Sequence, residues 1–387
     1  MRERRAHELP FSVDAPHLRS RDTSTRRVSR DEVRERPYSR HPVRVPLPDA
    51  HFPADPYPGA MPDMSFAHVD GESHVLHPHP RHGWAVAGTP LDTWLAHHGG
   101  APSAQRVPLL AYGSNRCPSK ITWLRHALGM GADPVIVLRA RTQGVSAVWA
   151  NGLRRRDGQR PAVLAAAPGV VEEHVVWLAT PEQIAVLDRC EGRDDRFRLA
   201  RLRTGEVHTA DGGHVAEPWC YVAHGAIRRP LRVDGALVRC ADMPQEAALG
   251  LTGEPADDGL HAPTVAGAPH PDEWPPTLFV YGLLQPGGPS WSLVAHHAAG
   301  DPRRGTVDGT VYDTGLGYPA LRRGTGERAP GWLVPVRDPS ALLPALDRYE
   351  GSRYRRERIV ATDGTICWAY VWADSFDGLR PLPDGWR

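Results

Sequence analysis

The sequence predicts a mixed α+β protein in which one small domain is used twice. Three landmarks recur in the same order along the 387 residues. Leu109-Leu110-Ala111-Tyr112-Gly113 answers to Leu278-Phe279-Val280-Tyr281-Gly282. Leu187-Asp188-Arg189-Cys190-Glu191-Gly192 answers to Leu346-Asp347-Arg348-Tyr349-Glu350-Gly351, with five of six positions identical. Trp219-Cys220-Tyr221-Val222 answers to Trp368-Ala369-Tyr370-Val371. The first and third landmarks are short apolar, aromatic runs that read as strands, the first entering a tight loop at its glycine. The second reads as the end of a short helix.

In chain order, residues 1–70 are rich in Arg, Pro, Asp and Ser with no sustained hydrophobic period, and are expected to form a disordered, basic, Pro-rich arm. Its Arg2, Arg4, Arg5, Arg26, Arg27, Arg34 and Arg36 alternate with Glu3, Glu8, Asp31, Glu32 and Glu35. Mixed-sign runs of this kind are usually a solvated extension rather than a nucleic-acid tail. Met1 to Ser20 carries charge throughout and has no apolar core, so no secretory leader is expected there. A first domain is expected over 84–238, a Pro, Gly and acid-rich linker over 239–276, and a second domain over 277–387.

The helix before each glutamate has signals at both ends. Thr180, Pro181 and Gln183 form a capping box with proline at the first helical position, and Asp338 and Pro339 repeat the start. Ile184, Leu187 and Cys190, like Leu343, Leu346 and Tyr349, give an apolar face, while Pro344 argues for a kink or a later start in the second copy. Gly192 and Gly351 stand where a helix ends. Glu191 and Glu350 are therefore the last helical residues, where the partial negative charge of the helix end costs a carboxylate about 0.3–1 kcal/mol and raises its pKa. Burial raises it further, toward what a general base needs near neutral pH. One such glutamate is most simply an exposed misfit; two in the same frame favour chemistry.

Composition narrows the classes. The formal net charge of +1 creates no field for nucleic acid or an anionic membrane. Of 46 basic residues only Lys120 is a lysine, which reads as compositional bias rather than a phosphate site. No apolar stretch approaches a membrane span. The five cysteines are scattered with no C-x-x-C pair, so neither a disulfide framework nor a zinc site is expected, and a cytoplasmic location fits. His74, His77, His79 and His82 cluster in an expected Pro-broken loop, more simply as surface histidines than as metal ligands. Trp368 and Trp372 read as core strand residues.

Tyr112-Gly113-Ser114-Asn115 followed by Glu191-Gly192 resembles the gamma-glutamylcyclotransferase family. The second block, with Tyr281-Gly282-Leu283-Leu284, Leu346-Asp347-Arg348-Tyr349-Glu350-Gly351 and Tyr354-Arg355-Arg356, resembles its AIG2-like branch. The resemblance implies two tandem domains, each a small, partly closed β-barrel flanked by helices. It also implies release of an amine or amino acid from a small γ-glutamyl compound with formation of 5-oxoproline, needing no metal or other cofactor. Glu350 and Glu191 are then the acid/base residues. Tyr281, Gly282, Leu283 and Leu284, with Tyr354, and Tyr112, Gly113, Ser114 and Asn115, would cradle the γ-glutamyl group. Leu283 stands where the branch usually has a hydroxyl residue. In the first block Arg193-Asp194-Asp195-Arg196 is a charged insertion, and Phe197 replaces the usual tyrosine. The compact spacing from Tyr281 to Glu350 favours the second block as the working half. A ligand-binding or scaffold protein that keeps the fold without turnover, and removal of a γ-glutamyl group from a secondary metabolite, remain the alternatives. Neither the leaving group nor the oligomeric state follows from the residues.

Overall fold

The computed structural model describes residues 45–79, 83–155 and 157–386. In chain order the main strands of the first half are β1 (Phe66–Val69), β2 (Glu72–His79), β3 (Gly83–Val86), β4 (Val107–Ala111), β5 (Val135–Trp149), β6 (Ala162–Ala179), β7 (Phe197–Arg201), β8 (Glu206–Thr209) and β9 (Trp219–Ala223). Helices α1 (Leu91–His97), α2 (Pro118–Leu128) and α3 (Pro181–Glu191) lie among them. The strands join one eleven-stranded sheet, in which neighbours run β3-β2-β1-β5-β6-β4-β9-β7. Long strands β5 and β6 form its hairpin, with a register shift between Gln143 and Val145. A bulge of this kind bends the strands. β8, which follows β7, pairs back onto β5, so the sheet curls toward itself as a partly closed barrel.

The second half repeats this with β10 (Thr277–Val280), β11 (Arg303–Asp313), β12 (Pro319–Pro335), helix α4 (Pro339–Glu350), β13 (Tyr354–Val360), β14 (Ile366–Trp372) and β15 (Arg380–Leu382). Its six-stranded order is β13-β14-β10-β12-β11-β15. A bridge between Val307 of β11 and Ala361 just beyond β13 brings the two sides of the sheet together. The landmarks occupy matching places. β4 and β9 pair in parallel with Leu109 opposite Trp219, and β10 and β14 pair in parallel with Leu278 opposite Trp368. Among the described residues all other strand pairs are antiparallel, and the class is mixed α+β, mostly strand. Trp219, Trp368 and Trp372 are buried, as core strand residues should be.

Three sequence expectations need correction. Residues 1–44 of the expected arm lie outside the described residues, but 45–70 are structured. Phe66 is fully buried and pairs with Val137, and the loop before it holds α2 through Ser119 Oγ, which donates to the Asp49 and Phe52 carbonyls. Six prolines from Pro46 to Pro62 break any hydrophobic period there and hide the apolar residues, Phe66 among them, that pack on the sheet. The 239–276 stretch is no free linker. Arg160, 3% exposed, donates to the carbonyls of Ala248 and Leu251, and Trp149 Nε1 to that of Met243. Its Pro and Gly mark turns packed on the first half. His74, His77 and His79 sit on β2, not in a loop, and His82 lies outside the described residues.

Candidate active site

Both glutamate helices form as their termini dictate. Thr180 and Gln183 complete the capping box of α3, and Asp338 accepts from the Ala341 N–H at the start of α4. Proline at the sixth position of α4 does not delay the start: the helix runs from Pro339 through Pro344 to Glu350. Gly192 and Gly351 follow the glutamates with φ of 66° and 65°. The buried face differs slightly from expectation. Ile184 and Leu187, and Leu342, Leu343 and Leu346, are buried, whereas Tyr349 is exposed and its hydroxyl meets Ser290 Oγ at 2.7 Å.

The turns, strands and helices are wired alike in both halves. The Tyr112 hydroxyl donates to the Tyr221 carbonyl (2.5 Å), and the Tyr221 hydroxyl to Asp188 Oδ1 (2.7 Å). The Tyr281 hydroxyl donates to the Tyr370 carbonyl (2.7 Å), and the Tyr370 hydroxyl to Asp347 Oδ1 (2.8 Å). The tyrosine of each Tyr-Gly turn is thus tied, through the strand beside it, to the aspartate one helical turn before the glutamate. Arg193 (3.1 Å) and Arg356 (3.1 Å) pair with those aspartates.

Each glutamate shares a cavity with its turn. Tyr281, Gly282, Leu283, Leu284, Glu350 and Tyr354 line one of about 290 Å³, walled also by Tyr318 and Tyr349. Tyr112, Gly113, Ser114, Asn115 and Glu191 line another of about 560 Å³. A larger space of about 710 Å³ between the halves, lined by Pro102, Asp272 and Asp347, contains neither glutamate. Burial pushes the Glu350 carboxyl up to about 7. Burial raises Glu191 as well, opposed by Asn115, whose Nδ2 donates to Glu191 Oε1 at 2.8 Å, and by Lys120, Arg196 and Arg228. Leu284 stands in the second turn where Asn115 stands in the first, so the second carboxyl lacks that donor.

Space rather than a left-handed backbone favours glycine in these turns, strongly at Gly282 and weakly at Gly113. Gly113 has φ −110°. A Cβ at Gly282 would lie 2.7 Å from Pro319 Cγ, and one at Gly113 3.3 Å from the Tyr57 hydroxyl. The charged insertion caps α3: Arg196 Nε and Nη2 donate to the carbonyls of Glu191 and Cys190, both at 3.0 Å, where a cation suits the helix dipole. Tyr57, Arg228, Tyr318 and Arg353 also line the cavities and were not evident from sequence. Tyr57, Arg228 and Tyr318 come from distant segments with no local pattern, whereas Arg353, three residues past Glu350, was within reach of a motif reading.

The family model for gamma-glutamyl cyclotransferase, AIG2-like proteins matches residues 109–237 and 278–387. Among solved structures, a mouse AIG2-like protein is 24% identical over 28% of this chain and 85% of its own, with a TM-score of 0.25. A structure titled gamma-glutamyl cyclotransferase is 20% identical over 31% of this chain and 67% of its own, with a TM-score of 0.26. The Bacillus subtilis protein YkqA is 16% identical over 70% of this chain and 85% of its own, with a TM-score of 0.23. No curated protein matches the sequence. Among the described residues, no helix is long and apolar enough to cross a membrane.

Proposed function

The chain belongs to the gamma-glutamyl cyclotransferase, AIG2-like family, and on that footing we propose that it releases an amine or amino acid from a small γ-glutamyl compound, leaving 5-oxoproline. One observation carries the reading: in each half a carboxyl raised by burial and a Tyr-Gly turn line the same cavity. The nucleophile is the substrate's own α-amine, so no protein nucleophile is required. Glu350 or Glu191, ionised, takes a proton from the α-ammonium, whose reference pKa is about 7.7–8.0. The freed amine attacks the γ-carbonyl and closes the five-membered ring. The developing oxyanion faces backbone N–H groups of the turn, of a kind whose individual loss typically costs about 2.7–4 kcal/mol. As the C–N bond to the leaving group breaks, the glutamic acid gives its proton to the departing amine. The ring nitrogen, which carries one proton too many after the attack, releases it to the carboxylate so regenerated and from there to solvent, leaving the neutral lactam. Folding the substrate so that amine meets carbonyl is an intramolecular alignment that can contribute roughly 7–11 kcal/mol.

A carboxyl near 7 matches this double role, since it is divided between base and acid forms at neutral pH. The test is 5-oxoproline release from a panel of γ-glutamyl amines and amino acids by the intact chain, Glu350→Gln, Glu191→Gln and the double variant. Loss in one single variant assigns the working half, and partial loss in both assigns both. The double variant is expected to be inactive. If the wild-type chain yields no product from any substrate, the cavities belong to a ligand-binding protein and the enzymatic reading is lost.

A further inference from the structure

The two cavities differ in charge far more than in framework. The first is lined by Lys120, Arg154, Arg155, Arg196 and Arg228 against Glu191 and Asp195; the second has Arg353 against Glu350, among the described residues. Most of the first set is engaged. Arg196 holds the carbonyls at the end of α3, Arg154 pairs with Asp157 (2.8 Å) and stacks on Tyr57 (4.4 Å), and the Lys120 ammonium lies 3.4 Å from the centroid of Trp123.

Arg228 is different. It is 5% exposed, its Nε and Nη1 are buried with no hydrogen-bond partner, and it stands 5.9 Å over the ring of Phe197, the residue that replaces the second half's Tyr354. Asn115 Oδ1, in the same cavity, is also buried without a partner. A buried guanidinium with open donors carries a desolvation cost that an anion in the cavity would offset. Its planar fork suits a carboxylate, bound through two parallel bonds.

We propose that the first cavity selects γ-glutamyl compounds whose leaving group is an acidic amino acid, with Arg228 holding the extra carboxylate. The inference rests on the cyclotransferase reading. The γ-glutamyl part is common to substrates of both halves, and the second cavity would hold it without any counterpart of Arg228; the added cation therefore matches something added to the leaving group. The first cavity, about 560 Å³ against about 290 Å³, has room for it.

The test uses γ-glutamyl-glutamate and γ-glutamyl-glutamine, which are nearly isosteric and differ by one charge. In full-length Glu350→Gln, which isolates the first cavity, kcat/KM for the acidic substrate should exceed that for the neutral one about tenfold or more. Arg228→Gln should bring that ratio to within about twofold of one, and Arg228→Lys should keep part of it. If Arg228→Gln does not fold by circular dichroism, Arg154→Gln at the same cavity should lower the ratio by a smaller factor. Where no substrate turns over, calorimetric binding of the same two compounds to the intact chain decides the matter separately: tighter binding of the acidic one, lost in the Arg228 variant, upholds the inference although the proposed reaction has failed. A ratio near one in the parent, or an equal loss for both compounds in Arg228→Gln, overturns it, the latter placing Arg228 on the shared α-carboxylate.

Discussion

Asn115 and Leu284 occupy the same place in the two turns, and the difference between them is one of the terms, beside Lys120, Arg196 and Arg228, that separate the acidities of the two glutamates. An amide N–H donated to a carboxylate favours the ionised form, so Asn115 draws Glu191 down while burial alone acts on Glu350. Leu284→Asn should therefore move the acid limb of the second half's pH–kcat/KM profile below about 7, and Asn115→Leu should move the first half's limb upward, each read with the other glutamate changed to glutamine. Unmoved limbs in both would sink the assignment of these carboxyls as the titrating base. Glu350 also bears on stability. Its folded pKa of about 7 lies above the ordinary value of 4.5, so the fold prefers the protonated form; the contribution is full below about 4.5 and is lost as pH rises through 7. Glu350→Gln should thus leave Tm nearly unchanged at pH 4.5 and raise it at pH 8, by the equivalent of about 1–3 kcal/mol. Both glutamates were legible in the sequence because their helix signals are local. Tyr57 and Arg228 were not, since what places them beside Glu191 is packing across a large separation along the chain.

The helices and turns show where local rules suffice and where they do not. Caps, first-turn prolines and terminal glycines fix α3 and α4 within a dozen residues, and all of these could be read directly. The role of glycine in the Tyr-Gly turns could not, because its reason lies across the cavity in Pro319 and Tyr57 rather than in the turn's own backbone. The consequence is unequal tolerance. Gly282→Ala places a Cβ 2.7 Å from a proline ring that cannot rotate away, whereas Gly113→Ala meets the Tyr57 hydroxyl at 3.3 Å. A displacement of about 1 Å in a reacting geometry can cost about a hundredfold. Gly282→Ala should therefore lower kcat of the second half by at least tenfold, and Gly113→Ala that of the first by only a few-fold, in steady-state 5-oxoproline assays of the isolating variants. Equal losses would mean the turns tolerate a side chain alike and that close approach is not what selects glycine.

At the scale of the whole molecule, the duplication was legible as repeated landmarks, but the joining of the halves was not, because the carbonyls that accept from the second half lie in segments that carry no landmark. Arg358 of β13 is half-buried and donates to the carbonyls of Ser103 (2.8 Å), Arg106 (2.6 Å) and Pro271 (2.8 Å). Its guanidinium lies 5.0 Å from the ring of Trp274 and 4.8 Å from that of Trp368, and burial brings its pKa down to about 9, which leaves it charged at neutral pH. One side chain thereby ties a strand of the second half to the segment before β4 and to the connection between the halves. Arg358→Met keeps the volume but leaves three carbonyls without this donor and removes the stacked cation, at a cost of about 3 kcal/mol. Because that loss falls on the contact and not on either core, urea unfolding followed by tryptophan fluorescence should begin earlier and broaden into two steps. Arg355→Met, which removes an exposed partner of Glu357 (2.5 Å) on the same strand, should change the midpoint by the equivalent of less than about 0.5 kcal/mol. An Arg358→Met chain that unfolds with the wild-type midpoint and slope would show that the halves are held together by their apolar contacts without the arginine.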